Sequence, residues 1–119
     1  MYFKAFNQNI LSMKNNNIPE DIKLKAREWL SDSFDEKTRS TVNDLLKNNA
    51  KEIIDSFYKN LEFGTGGLRG IMGTGTNRMN IYTVGMATQG LSNYLKKEFS
   101  DLEELKVVIS HDSRNNSSL

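Results

Sequence analysis

The chain has 119 residues, 37% of them hydrophobic and 26% charged, with a formal net charge of +1 and no cysteine. That composition predicts one ordinary globular core; it excludes disulfides and thiolate metal sites and any strong bulk attraction to nucleic acid or anionic lipid. No apolar run reaches the roughly 20 residues that cross a bilayer, and the opening MYFKAFNQNILSMKNNN lacks a compact apolar region ending in small residues, so the expectation is a cytoplasmic protein with no membrane or nucleic-acid partner.

Residues 1–17 are polar and Asn-rich, and are expected to form a loose end or a short docked helix. Pro19 followed by Glu20 and Asp21 makes a helix start, with a proline early and acids at the positive end of the dipole. Ile22, Ala26, Trp29 and Leu30 share one face, which predicts an amphipathic helix over about 20–31. SDSFDEKTRSTVNDLLKNN restarts with capping residues, and Val42, Leu45 and Leu46 predict a second helix over about 35–48. AKEIIDSFYKN predicts a third, with Ile53, Ile54, Phe57 and Tyr58 apolar.

Six of the eight glycines then fall between Gly64 and Gly75, within LEFGTGGLRGIMGTGTNRMN. The segment before Gly64 reads as helical, although Leu61–Gly64 and Gly70–Thr74 are also candidates for extended backbone. In NIYTVGMATQGLSNYLKKEF, Asn80 is a plausible N-cap, Val84, Ala87, Leu91 and Leu95 follow helical spacing, and Lys96 and Lys97 sit near the negative end. Gly85 and Gly90 each cost this helix roughly 1 kcal/mol against alanine, which predicts close packing against a neighbour. KVVIS, a β-branched run without alternation, reads as a strand buried on both faces in a parallel sheet.

Such a strand needs partners on both sides, and the NNSSL after it has the composition of a helix N-cap. The expectation is therefore the front end of a larger protein; the alternatives are an imposed boundary, a broken reading frame or a small standalone domain. Its strand and the face of Val84, Leu91 and Leu95 would lack part of their cover, so the isolated chain is expected to be loose or poorly soluble.

Glycines let a ligand touch the main chain, and successive N–H groups can converge on an anion. Arginine adds a planar fork suited to phosphate oxygens. The loop fits neither common nucleotide motif: Arg69 stands three residues after Gly66, Arg78 three after Gly75, and no G-x-x-x-x-G-K-[ST] occurs. Composition alone leaves phosphate binding and a plain turn-rich loop with solvated arginines both open. Asp112 and Arg114, in SHDSR, stand at a strand's C-terminal end, where open α/β sheets place ligands, or form an ordinary charge pair or cap there. His111, the sole histidine, has no identifiable catalytic partner, and no His/Asp/Glu cluster suggests a metal site.

Taken in order, FGTGGLRG, GTGTNRMN, IYTVGMATQGLSNYL and VVISHDSRNNS resemble the opening of the α-D-phosphohexomutases, the phosphoglucomutase/phosphomannomutase enzymes, over about Asp55 to Ser117. The similarity is nearest to the phosphoglucomutase/phosphopentomutase branch, which carries a helical N-terminal extension. The resemblance implies an α/β fold: a helical segment over 1–60, then an incomplete α/β/α domain I over 61–119. It implies an enzyme of four domains around a cleft, in which a phosphoserine and a bisphosphate intermediate interconvert sugar 1-phosphate and 6-phosphate, of glucose or mannose, or pentose 1- and 5-phosphate. The implied substrate is a phosphosugar and the implied cofactor Mg²⁺, held by a loop in a later domain. Carried over residue by residue, Arg69 and Thr65 shape and charge the cleft floor beside the phosphoserine, and Gly64, Gly66, Gly67 and Gly70 permit the loop's close approach. Asp112 and Arg114 fall on the family's D-x-R near the serine loop. That loop, T-A-S-H-N-P or close to it, is not in the sequence, nor is the D-x-D-x-D-R metal loop. The chain is thus expected to hold no catalytic residue of its own, no metal ligand, and no mutase activity alone. The alternative is a standalone non-catalytic module binding phosphate or a partner.

Overall fold

The computed structural model of the chain describes residues 17–113. The expected loose end over 1–17 lies, except for Asn17, outside the described residues, as does Arg114. Two compact units divide at Gly85/Met86.

The first unit begins with three short helices. α1 (Glu20–Glu28) opens with Glu20 and Asp21 in its first turn, as the dipole favours. It ends earlier than the expected residue 31, because the amides of Trp29 and Leu30 bond to the carbonyls of Ala26 and Arg27, three residues back, tightening the last turn. α2 (Glu36–Asn48) is capped by Asp35, whose carboxylate accepts from the Thr38 amide at 2.9 Å and the Thr38 hydroxyl at 2.7 Å. Asn49 ends α2 and starts α3 (Ala50–Phe57), its side chain accepting from the Glu52 amide at 3.1 Å. One residue thus serves both ends and sets the turn between the two helices.

The apolar faces read from the sequence meet in one core of Ile18, Ile22, Ala26, Trp29, Val42, Ile53 and Phe57. Burial of Val42, Ile53 and Phe57 is complete, which contributes about 1.5–3 kcal/mol for each of these side chains. Trp29 stacks on Phe34 at 4.6 Å between ring centroids and meets Phe57 and Tyr82 edge-on at 5.5 and 5.6 Å. Tyr82 comes from the start of α4 (Ile81–Glu98). Its hydroxyl donates to the Asp35 carboxylate at 2.7 Å and accepts from the Asp35 amide at 2.8 Å. The three helices therefore share one core with the residues that follow the glycine loop.

Between α3 and α4 the helical expectation for the segment before Gly64 does not hold. Phe63–Gly64 is strand β1, paired antiparallel with β2 (Gly67–Leu68) in the register Phe63 with Leu68 and Gly64 with Gly67. Helix α3 has already stopped at Phe57, and glycine-rich backbone favours a tight hairpin over a helix.

The second unit holds the rest of α4 and the segment to residue 113. None of its described residues is buried. Here two expectations are corrected. KVVIS forms no strand: Val107, Val108 and Ile109 are 60, 93 and 85% exposed, and the sheet of the described residues contains β1 and β2 alone. A β-branched run becomes a strand only when a partner backbone is there to pair with it. Gly85 and Gly90 are not packed either, since a Cβ at either position would meet nothing within 4 Å. Among the described residues no helix is long and apolar enough to cross a membrane.

Candidate functional site: the glycine hairpin and its cleft

The β1–β2 hairpin turns through Thr65 and Gly66, which places both at its tip. Gly67 has φ +108°, a conformation that L side chains rarely adopt, so glycine is required there for backbone reasons. Gly66 gives room of a different kind: a Cβ would lie 2.5 Å from Nη2 of Arg69, so the guanidinium, which lies close against the turn, would have to shift. At Gly70 the obstacle would be Leu61 Cδ1, at 2.6 Å. Gly64 meets only an ordinary contact, with the Gly67 carbonyl oxygen. Thr65 and Arg69 are both exposed.

A second loop, residues 71–80, braces this hairpin from both ends. The Leu61 amide donates to the Thr76 carbonyl at 2.8 Å before β1, and the Met79 amide to the Ile71 carbonyl at 2.8 Å after β2. This second loop is fastened to α3. Gly75, at φ +130°, packs so tightly on α3 that a Cβ would stand 2.5 Å from the Ser56 carbonyl oxygen. The Asn77 amide donates to that same oxygen at 2.9 Å, and the Asn77 side chain to the Asp55 carbonyl at 3.0 Å.

The main fastener is Arg78, which is 3% exposed. Its guanidinium donates to Glu52 Oε1 at 2.9 Å, to Asp55 Oδ2 at 2.6 Å, and to the carbonyls of Asp55 and Asn77 at 3.2 Å. Burial works against its charge, but the hydrogen bonds it donates to Glu52 and Asp55, and their negative charges, outweigh that and hold its pKa above the ordinary arginine value. Asn80 completes the loop. Its amide nitrogen donates to the carbonyls of Gly73, Gly75 and Arg78, while its oxygen accepts from the Tyr82 and Thr83 amides at 3.1 and 2.9 Å and caps α4.

Between α3 and the hairpin lies a cleft of about 460 Å³, whose walls include Lys59, Phe63, Arg69, Ile71 and Asn77. The two loop arginines thus divide their work. Arg78 is neutralised by carboxylates, whereas Arg69, which lines the cleft, makes no hydrogen bond or ion pair among the described residues and keeps its five N–H donors unspent on them. Lys59 lies alongside, its Nζ 5.6 Å from the Tyr58 ring centroid. Such an arrangement can hold an oxyanion. Of the carboxylates that line the cleft, Asp55 is committed to Arg78, while Glu62 is exposed.

Of the residues singled out from the sequence, Gly64, Thr65, Gly66, Gly67, Arg69 and Gly70 therefore share one hairpin. Asp112 is an exposed residue of the second unit, its carbonyl 3.1 Å from His111 Nδ1. Sequence reasoning missed the task of Arg78. The available signal was Glu52 and Asp55, spaced three apart on a predicted helix and so placed on one face of it.

Residues 60–119 match the family model described as phosphoglucomutase/phosphomannomutase, alpha/beta/alpha domain I. Phosphopentomutase of Homo sapiens is 41% identical over 98 residues, covering 80% of this chain and 16% of that protein. Glucose 1,6-bisphosphate synthase of Mus musculus is 38% identical over 88 residues, 73% of this chain and 14% of that protein. Phosphoribomutase of Saccharomyces cerevisiae is 36% identical over 98 residues, 82% of this chain and 15% of that protein. The chain spans about one sixth of the length of these relatives. No solved structure matches. The chain belongs to the phosphoglucomutase/phosphomannomutase family, its residues from 60 onward being domain I sequence.

Proposed function

We propose that this chain supplies the N-terminal part of a phosphosugar mutase, in which the hairpin carrying Arg69 binds phosphoryl oxygens. The observation that carries this reading is the unpaired guanidinium of Arg69, set over a glycine turn at the side of an open cleft, inside a family whose members act on phosphosugars. A planar fork free of protein carboxylates matches two phosphate oxygens at once. Thr65 at the turn adds a hydroxyl. Asp112 and Arg114 are proposed to lie near the phosphoserine loop of the complete enzyme.

The reaction is the interconversion of sugar 1-phosphate with 6-phosphate, or of pentose 1-phosphate with 5-phosphate, in the cytoplasm. The names of the relatives favour pentose substrates and a glucose bisphosphate. The proposed domain division is 1–60 for the helical N-terminal extension and 61–119 for domain I. Mg²⁺ would serve the full-length enzyme from outside this chain. No three His, Cys, Asp or Glu side chains gather among the described residues, so no step through the metal is assigned to them. The contribution of these residues is binding and orientation, which is where most of the acceleration of phosphoryl transfer lies.

A standalone anion-binding module is the second reading, favoured by a cleft whose walls all come from residues 55–78. Coupled assays with glucose 1-phosphate and ribose 1-phosphate separate the two. The isolated chain is expected to give no turnover above a blank. In a protein that continues these residues into a serine loop and metal loop, turnover is expected, and Arg69→Ala should lower kcat/KM by about a hundredfold. Turnover by the isolated chain, or an unchanged Arg69→Ala enzyme, would overturn the assignment. A T-A-S-H-N-P segment encoded within a few dozen codons after Leu119 supports the mutase reading; its absence supports the module.

A further inference from the structure

We infer that Arg78 is the positioning residue for Arg69, and that α3 of the helical extension, through Glu52 and Asp55, sets the geometry of the anion-binding hairpin. The inference rests on the reading of Arg69 as a phosphoryl contact.

Arg78 also borders the cleft, but its guanidinium is 3% exposed and its donors are spent on α3. Yet the loop it fastens holds both ends of the hairpin. Before β1, the Leu61 amide is bonded to Thr76; after β2, Ile71 accepts from Met79, and the Gly73 amide donates to the Met79 carbonyl at 3.2 Å. Thr76 is tied in turn to α3's exit, its hydroxyl donating to the Lys59 carbonyl at 2.7 Å. The mechanical path therefore runs from Glu52 and Asp55 to Arg78, from Arg78 to the backbone at Thr76 and Met79, and from there to the two feet of the hairpin that carries Arg69. The hairpin itself has only two residues per strand and no buried side chain, so it cannot fix its own orientation. A guanidinium is needed at residue 78 because four acceptors on different sides are met by two nitrogens of one plane. Lysine would place one ammonium where a fork is required.

The test is a double-mutant cycle on the purified chain, with α-D-glucose 1,6-bisphosphate as probe and affinity read by calorimetric titration. Arg69→Ala is expected to weaken binding by about tenfold or more, the effect of one charge-assisted contact. Arg78→Gln, which leaves Arg69 itself in place, should weaken it by about fivefold, and should have no further effect in the Arg69→Ala background. Arg78→Lys should not restore affinity. Should Arg78→Gln fail to fold by circular dichroism, Glu52→Gln removes one partner from the same network and is expected to give a smaller loss with the same non-additivity. Absence of saturable binding by the parent chain, or an Arg69→Ala chain that binds as well as the parent, overturns the phosphoryl reading and the inference with it. Loss at Arg69 with none at residue 78 or 52 overturns the inference alone. So does an equal loss at residue 78 whether or not Arg69 is present, because that is a general weakening of the fold.

Discussion

The first unit and the second carry similar side chains to different ends. Residues 18–57 bury Ile18, Trp29, Val42, Ile53 and Phe57 among three helices, while residues 86–113 leave Met86, Leu91, Tyr94, Phe99 and Val107 to Ile109 exposed. Apolar residues recur at helical spacing in both α3 and α4, though they gather more sharply on one face in α3. What differs further is the second surface: α3 faces α1 and α2 across a closed core, whereas no described residue from 86 to 113 is buried. Periodicity puts apolar groups on one side of an element, but only another element removes them from water.

Hydrogen exchange is the sharpest way to break this comparison. The amides in the middle of α3 should be protected on the order of a hundredfold or more over those of residues 90–98, because local opening there costs no buried surface. Equal protection would mean that α4 has cover of its own in solution.

Glycine substitutions give the next effect. Gly75→Ala forces a side chain into positive φ and onto the Ser56 carbonyl, and should cost about 2–4 kcal/mol in denaturant unfolding. Gly85→Ala and Gly90→Ala meet open space in a helix and should each stabilise it by about 0.5–1 kcal/mol. A destabilising result at Gly85 or Gly90 would restore the close packing that their position in the sequence suggests.

The smallest effect is expected at Asp35. The hydroxyl of Tyr82, with that of Thr38 and the Thr38 amide, holds the Asp35 carboxyl well below the usual carboxylate range. A depressed folded pKa means the stabilisation is in place above the ordinary aspartate value, about 4, and is lost as pH falls below it. Asp35 is exposed, so solvent weakens the term. Tyr82→Phe should therefore lower stability at neutral pH, and its gap from the parent chain should narrow below about pH 4. A gap that widens in acid would reverse the sign of this coupling.

The helical lead-in was legible because each helix carries its own start signal and a face that finds a partner close by in sequence: Asp35 and Asn49 cap as their types predict. The glycine-rich segment was legible as a tight loop that brings Arg69 to its surface, but composition left the use of that guanidinium open. The roles of the glycines were not legible. Gly66 and Gly70 make room for Arg69 and Leu61, contacts that composition cannot reveal. KVVIS misled because β-branched residues report a preference, and a strand needs a neighbour. Arg78 was hidden for the opposite reason: its carboxylate partners lie 23 and 26 residues earlier, on a helix that nothing in the sequence ties to the loop.

Asn80 stands where both halves of this arrangement meet. Its nitrogen gathers three carbonyls of the second loop, and its oxygen receives the amides of the second and third residues of α4. Aspartate has nearly the same outline and could still receive those amides, but it has no hydrogen to give to the carbonyls. Exchanging one nitrogen for oxygen would thus keep the helix start and release the loop. Loop closure and helix initiation, joined in one side chain, could in that way be switched off separately.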